Sequence, residues 1–215
     1  MDDAVENDGR LPLGGGALLH RPETTMNNAI DFWLFPLLHA ASVNESWRTA
    51  LGIFSAEWLI WVFPIWAAVM VWRNRNRDRR AVLFAALACT LSVSFSHLIG
   101  LLWPRSRPFV LGFSTLVAHA SSPSFPSSHA TLAYTAALTV AVIRNRIDLL
   151  FVLSVALATV IALARVFVGV HYPTDVIGGF FLAGLTSLCI GYAARRPVKG
   201  TGHRQRESTG APTSG

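Results

Sequence analysis

Apolar residues in this chain run in blocks instead of recurring on one helical face. Residues 49–72, 81–103, 149–170 and 175–194 are each long enough, at about 1.5 Å per residue, to cross a hydrocarbon core of about 30 Å. A fifth block, 126–143, is shorter but sufficient. Residues 29–43 are apolar too, yet Asp31, Pro36 and His39 interrupt them and the block is too short to span; it reads as an interfacial or re-entrant helix. Trp47, Trp72 and Trp103 stand at block ends, where amphipathic indole rings favour the headgroup layer. The pattern predicts an all-α, polytopic membrane bundle of five transmembrane helices plus an N-terminal interfacial helix. It divides the chain into a polar N-terminal tail (1–25), a membrane domain (26–194) and a basic tail (195–215) expected to be disordered.

Composition agrees with a bilayer protein. Of 215 residues, 52% are hydrophobic and 14% charged, and the mean hydropathy is +0.44. So little charge excludes a disordered chain, and two cysteines exclude a disulfide scaffold. Cys89 and Cys189 lie within apolar blocks and read as small packing residues. No basic segment leads into an apolar stretch at the N-terminus, so no cleavable signal peptide is expected.

The net charge of +6 could suggest a nucleic-acid partner, but twelve of the 18 Lys and Arg fall in three segments flanking apolar blocks: 73–80, 144–148 and the tail after 194. The positive-inside rule makes those segments cytoplasmic, which explains the charge without nucleic acid. Connections 104–125 and 171–174 then face outward. Gly179, Ala183, Ser187 and Gly191, at four-residue spacing, form a stripe that lets helix backbones approach closely.

That topology gathers the remaining polar residues at one membrane face: Arg105 and Arg107; Ser127, Ser128 and His129; Arg165, His171 and Asp175. Three guanidinium groups with imidazoles beside them define an anion site, and phosphate is the obvious anion. In FPSSHA, Pro126 suits a first helical turn and Ser127 and Ser128 can cap it, aiming free N–H groups and the positive dipole end outward. Arg165 lies nearly two turns before His171, so both side chains can lean into one cavity. Asp175 follows His171 by four residues across a Tyr-Pro-Thr turn; its carboxylate can take the proton of one ring nitrogen and free the other as a nucleophile. Glu57, a charge inside an apolar block, calls for a function or an Arg partner at the site. His119, in the outward loop, is a candidate substrate contact. His39 and His97 read as packed or snorkelling residues. A metal centre made from His119, His129, His171 and Asp175 is disfavoured, because the spacing fits no zinc signature and three Arg would repel a cation.

These residues resemble the membrane branch of the type 2 phosphatidic acid phosphatase superfamily. Arg107-Pro108 matches the end of the family's first block, Pro126-Ser127-Ser128-His129 the second, and Arg165 with His171 and Asp175 the third. The likeness covers the chain from about Glu57 to the last block. Three positions depart: Gly100 stands where the family has Lys, Ser128 where it has Gly, and Ala164 where it has Ser. The stretches LLWPRSRPFV, VAHASSPSFPSSHAT and RVFVGVHYPTDVIGG are most similar to the bacitracin-resistance undecaprenyl-diphosphatases, and Arg105 is expected to supply the phosphate contact of the missing Lys.

The resemblance implies cofactor-free and metal-free hydrolysis in two steps. His171 would attack the terminal phosphorus, His129 would protonate the leaving group and later activate water, and Asp175 would hold His171. Arg107, Arg165, Ser127 and the amides around Ser128 would bind oxygens. The implied substrate is undecaprenyl diphosphate at the outer face of a bacterial inner membrane, with membrane lipids as surroundings. Alternatives are a phosphatase or phosphotransferase for phosphatidic acid, phosphatidylglycerol phosphate or lipid A, or a transporter that holds an anion without cleaving it.

Overall fold

The computed structural model describes residues 28–40, 46–73 and 76–195; the expected polar and basic tails lie outside the described residues. Among the latter are seven α-helices and no strand: α1 (Ala29–Leu38), α2 (Ser46–Glu57), α3 (Val62–Trp72), α4 (Asn76–Leu102), α5 (Ser128–Arg144), α6 (Leu149–Phe167) and α7 (Pro173–Arg195). Three of them are long and apolar enough to cross a membrane, within Arg79–Leu102, Leu149–Phe167 and Pro173–Arg195. Their outer faces carry exposed Leu83, Leu101, Leu149, Phe181, Leu185 and Leu188, a surface that water would penalise and lipid accepts.

The block at 49–72 departs from its expectation of one continuous span. It is α2 and α3 separated by a 3₁₀ turn at Leu59–Trp61, bent by 42° yet together apolar enough to cross. Pro64 supplies the reason. It lacks an N–H, and its ring opposes the carbonyl four residues earlier, so a regular helix cannot run through 58–61.

At the centre stands α5, packed between α4, α6 and α7. The stripe on α7 faces α5: a Cβ on Gly179 would lie 3.0 Å from the Ser127 carbonyl oxygen, and Gly191 abuts Val142. Between these, Ser187 accepts from Thr139 at 2.9 Å. The Arg-bearing helix ends meet at one end of the bundle, where Arg80 donates to the Ala194 carbonyl at 2.6 Å and Arg195 reaches the Val142 carbonyl and Asn145. The opposite end holds the polar cluster.

Candidate active site

Three chain segments bring that cluster together. Ser127 caps α5 in extended conformation, its Oγ accepting from the Ala130 N–H. The amides of Ser128 and His129, at a helix start, have no intrahelical acceptor. Val168 closes α6, and Gly169 follows with φ of 82°. A Cβ there would collide with the Ser114 carbonyl oxygen and crowd His39. Only glycine lets the chain turn so tightly after Arg165 and deliver His171 beside it.

His171, Arg107, His119, Ser128 and His129 line one cavity of about 460 Å³, with Ser96, His97 and Gly100 on its α4 wall. The rings of His119 and His171 lie 6.5 Å apart. Arg107 Nη1 is 3.2 Å from His171 Nε2 and also donates to the Val170 carbonyl, and the rest of the guanidinium is fixed by the carbonyls of Ser122 and Pro123 and by Ser122 Oγ. Burial, reinforced by repulsion from Arg165, draws the Arg107 pKa down to about 10, which leaves it charged at neutral pH. Burial, and Arg107 after it, also lower His119.

Arg165 is fully buried. Its Nη1 donates to Glu57 at 2.8 Å and to the Ala56 carbonyl at 3.2 Å, while Nε and Nη2 find no acceptor in the protein. Unpaired buried guanidinium donors are costly; an anion beside them would remove that cost. Glu57 thus has the Arg partner its position called for.

The expected His171–Asp175 hydrogen bond is replaced by a different arrangement. His171 Nδ1 donates to the Ser124 carbonyl at 2.9 Å, and the Asp175 carboxylate stands 3.6 Å from that nitrogen. The tautomer is the expected one, because a carbonyl can only accept: Nδ1 carries the proton and Nε2 carries the lone pair. Asp175 is occupied elsewhere. It accepts from Ser124 Oγ at 2.5 Å, the Tyr172 N–H at 2.8 Å and Arg105 at 2.6 Å, which ties the His171 loop to α7. Burial is the largest influence on His171 and brings its pKa to about 4, so the ring is neutral near pH 7.

Arg105 is placed differently from its expected role. Its guanidinium bridges Asp31 at 2.5 Å and Asp175 at 2.6 Å, stacks 4.3 Å over Tyr172, and is absent from the cavity wall. Two buried carboxylates compete for it more strongly than a solvated cavity could. Ser127 is likewise consumed by capping and leaves the wall to Ser128, whose Oγ lies 3.3 Å from Ser96 Oγ. His97, read as a packing residue, sits on the wall beside Gly100. His39 does pack: it stacks on Phe35 at 4.7 Å and donates to the Ser114 carbonyl.

Asp31 escaped the sequence reading as a site residue. Fully buried, it accepts from Arg105 and from the Thr174 amide and hydroxyl and fastens α1 to the start of α7. The argument that singled out Glu57, a carboxylate in an apolar block, would have found it. Ser124 gave no such signal, since it acts through its backbone carbonyl.

A cavity lined by Arg107 and four histidines on a helical membrane scaffold defines a class, and comparison bears on which. Residues 81–197 match the PAP2 superfamily, and the chain belongs to that family. It is 40% identical over 161 residues, 73% of this chain and 78% of the relative, to YbjG of Escherichia coli (strain K12), provisionally named an undecaprenyl-diphosphatase. With BcrC of Bacillus subtilis (strain 168), named undecaprenyl-diphosphatase, it shares 31% over 157 residues, 72% of this chain and 79% of the relative. Its fold is similar to that of a transmembrane PAP2-type phosphatidylglycerolphosphate phosphatase from Bacillus subtilis, with TM-score 0.63, 21% identity, and coverage of 83% of this chain and 93% of the other. The protein is a multi-pass membrane member of this family.

Proposed function

We propose that the protein hydrolyses undecaprenyl diphosphate to undecaprenyl phosphate and inorganic phosphate, recycling the lipid carrier of cell-wall synthesis. The observation that carries this reading is the placement of His171 Nε2 against Arg107 on the wall of a cavity at the start of α5, with Arg165, buried behind that wall and close enough for its charge to act on both, keeping two nitrogens unpartnered. The names of the two relatives favour a diphosphate lipid as substrate.

In the proposed mechanism the terminal phosphoryl group sits between Arg107, Arg165 and the first amides of α5. His171 Nε2 attacks phosphorus, forming an N–P bond as the bridging P–O bond breaks, and the Nδ1 proton stays on the ring, hydrogen-bonded to the Ser124 carbonyl. His129 protonates the leaving lipid phosphate and then takes a proton from the water that cleaves the phosphohistidine. Fixed guanidinium and amide donors strengthen as charge spreads over the equatorial oxygens. No metal or cofactor enters the scheme.

The same reading orients the molecule. The bent α2–α3 pair and α4 to α7 make five spans in a bacterial inner membrane, α1 lies at the outer interface, and the cavity opens to the periplasm.

The test is phosphate release by detergent-purified protein. Undecaprenyl diphosphate should be preferred over monophosphate lipids, and His171→Ala should lower turnover by about 10⁴-fold or more with loss of an acid-labile, base-stable phosphoenzyme. A preference for phosphatidic acid or phosphatidylglycerol phosphate would reassign the substrate. Unchanged release by His171→Ala would remove the hydrolase reading.

A further inference from the structure

Further along the bundle from the active-site cavity, the same two helices, α4 and α5, border a second space, and this one is apolar. On α4, the cavity residues Ser96 and Gly100 lead at helical spacing to Cys89, Ala86 and Val82; on α5, Ser128 leads in four-residue steps to Leu132, Ala136 and Val140, and these border a second cavity of about 280 Å³. The two faces are in register. Ser96 bonds the Pro126 carbonyl and approaches Ser128 at the polar end, and the Cys89 thiol lies 3.9 Å from the Leu132 carbonyl below. From Ser96 to Cys89 is about 10 Å along the helix axis.

The space persists because small side chains oppose large ones across it. Ala85, Ala86 and Ala136 face Phe63 and Trp66 of α3 without filling the gap. A groove that starts beneath a phosphate site and is lined by aliphatic and aromatic groups suits one extended hydrocarbon chain attached to that phosphate.

We propose that the α3–α4–α5 groove binds the first isoprenoid units of the substrate's prenyl tail, so that chain and headgroup are held by one continuous surface of α4 and α5. The proposal rests on the lipid-diphosphatase reading above. Tail contacts made equally in ground and transition states lower KM without changing kcat.

Ala86→Phe and Ala136→Phe, which fill the groove at a distance from the reacting atoms, test it. Phosphate release is measured from undecaprenyl diphosphate and from isopentenyl diphosphate, whose five carbons cannot reach Cys89. Expected is a fall in kcat/KM of about ten-fold for the long substrate, carried by KM, with the short one unchanged. Equal loss on both substrates, or none on either, overturns the groove. Wild-type protein that releases phosphate from neither would instead remove the phosphatase reading.

A second measurement does not need turnover. In a Cys189→Ala, His171→Ala background, undecaprenyl diphosphate should slow alkylation of Cys89 by a small apolar reagent, and inorganic diphosphate should not. Equal slowing by a diacyl phospholipid would assign the groove to bulk lipid and overturn the proposal.

Discussion

Arg165 concentrates much of the site's physical logic. It is fully buried, holds Glu57 and the Ala56 carbonyl through one nitrogen, and keeps two donors unpartnered. Lys cannot reproduce two fixed, parallel donors. Arg165→Lys should therefore lower kcat by about 10²-fold while the fold persists, read as phosphate release beside an unchanged thermal transition. His171 carries a second prediction. Its folded pKa of about 4 lies below that of free imidazole. The nucleophile thus stays neutral until pH falls toward 4, and phosphoenzyme formation, followed by rapid quench, should lose its acid limb there and not near 6.5. Stability has the same sign: the unfolded chain binds the His171 proton more readily, so this contribution is complete above about pH 6.5 and declines as pH falls toward 4.

Helix ends set the positions of these groups. The Gly169 turn after α6 carries a third prediction. Gly169→Ala puts a methyl against the Ser114 carbonyl at a φ of 82°, costing about 1–3 kcal/mol, visible as a lowered thermal transition with loss of activity because the loop bearing His171 must move. At α7, Gly179 holds the helix against the Ser127 carbonyl. Gly179→Val should separate α7 from α5 and weaken the cap over the cavity, with activity falling at temperatures where the fold survives. The apolar helices, Ser127 as a cap, and the glycine stripe were legible in the sequence, because apolar runs and capping chemistry are local. The break at 58–61 was less visible: Pro64 signals it, but hydropathy is blind to a bend that keeps every residue apolar.

Across the whole molecule, charge and chemistry separate to opposite ends. Arg80, Arg144 and Arg195 belong to one end, and Arg107, His119 and His171 to the other. Reporter fusions after residue 146 should show cytoplasmic activity and those after residue 120 periplasmic activity; both on one side would contradict the proposed topology.

What the sequence alone determined is whatever contiguous residues decide: membrane class, helix positions, and the three short motifs that deliver His129, His171, Asp175, Arg107 and Arg165 to one face. Tertiary structure decided how those groups divide their partners. Asp31 and Arg105 stand 74 positions apart, Glu57 and Arg165 108, and no spacing rule reaches that far. With several cations and carboxylates at one face, each pairs where packing brings it, since burial penalises any charge left alone. That competition drew Arg105 off the cavity wall, turned the His171 N–H toward a backbone carbonyl, and left Arg165 with donors to spare.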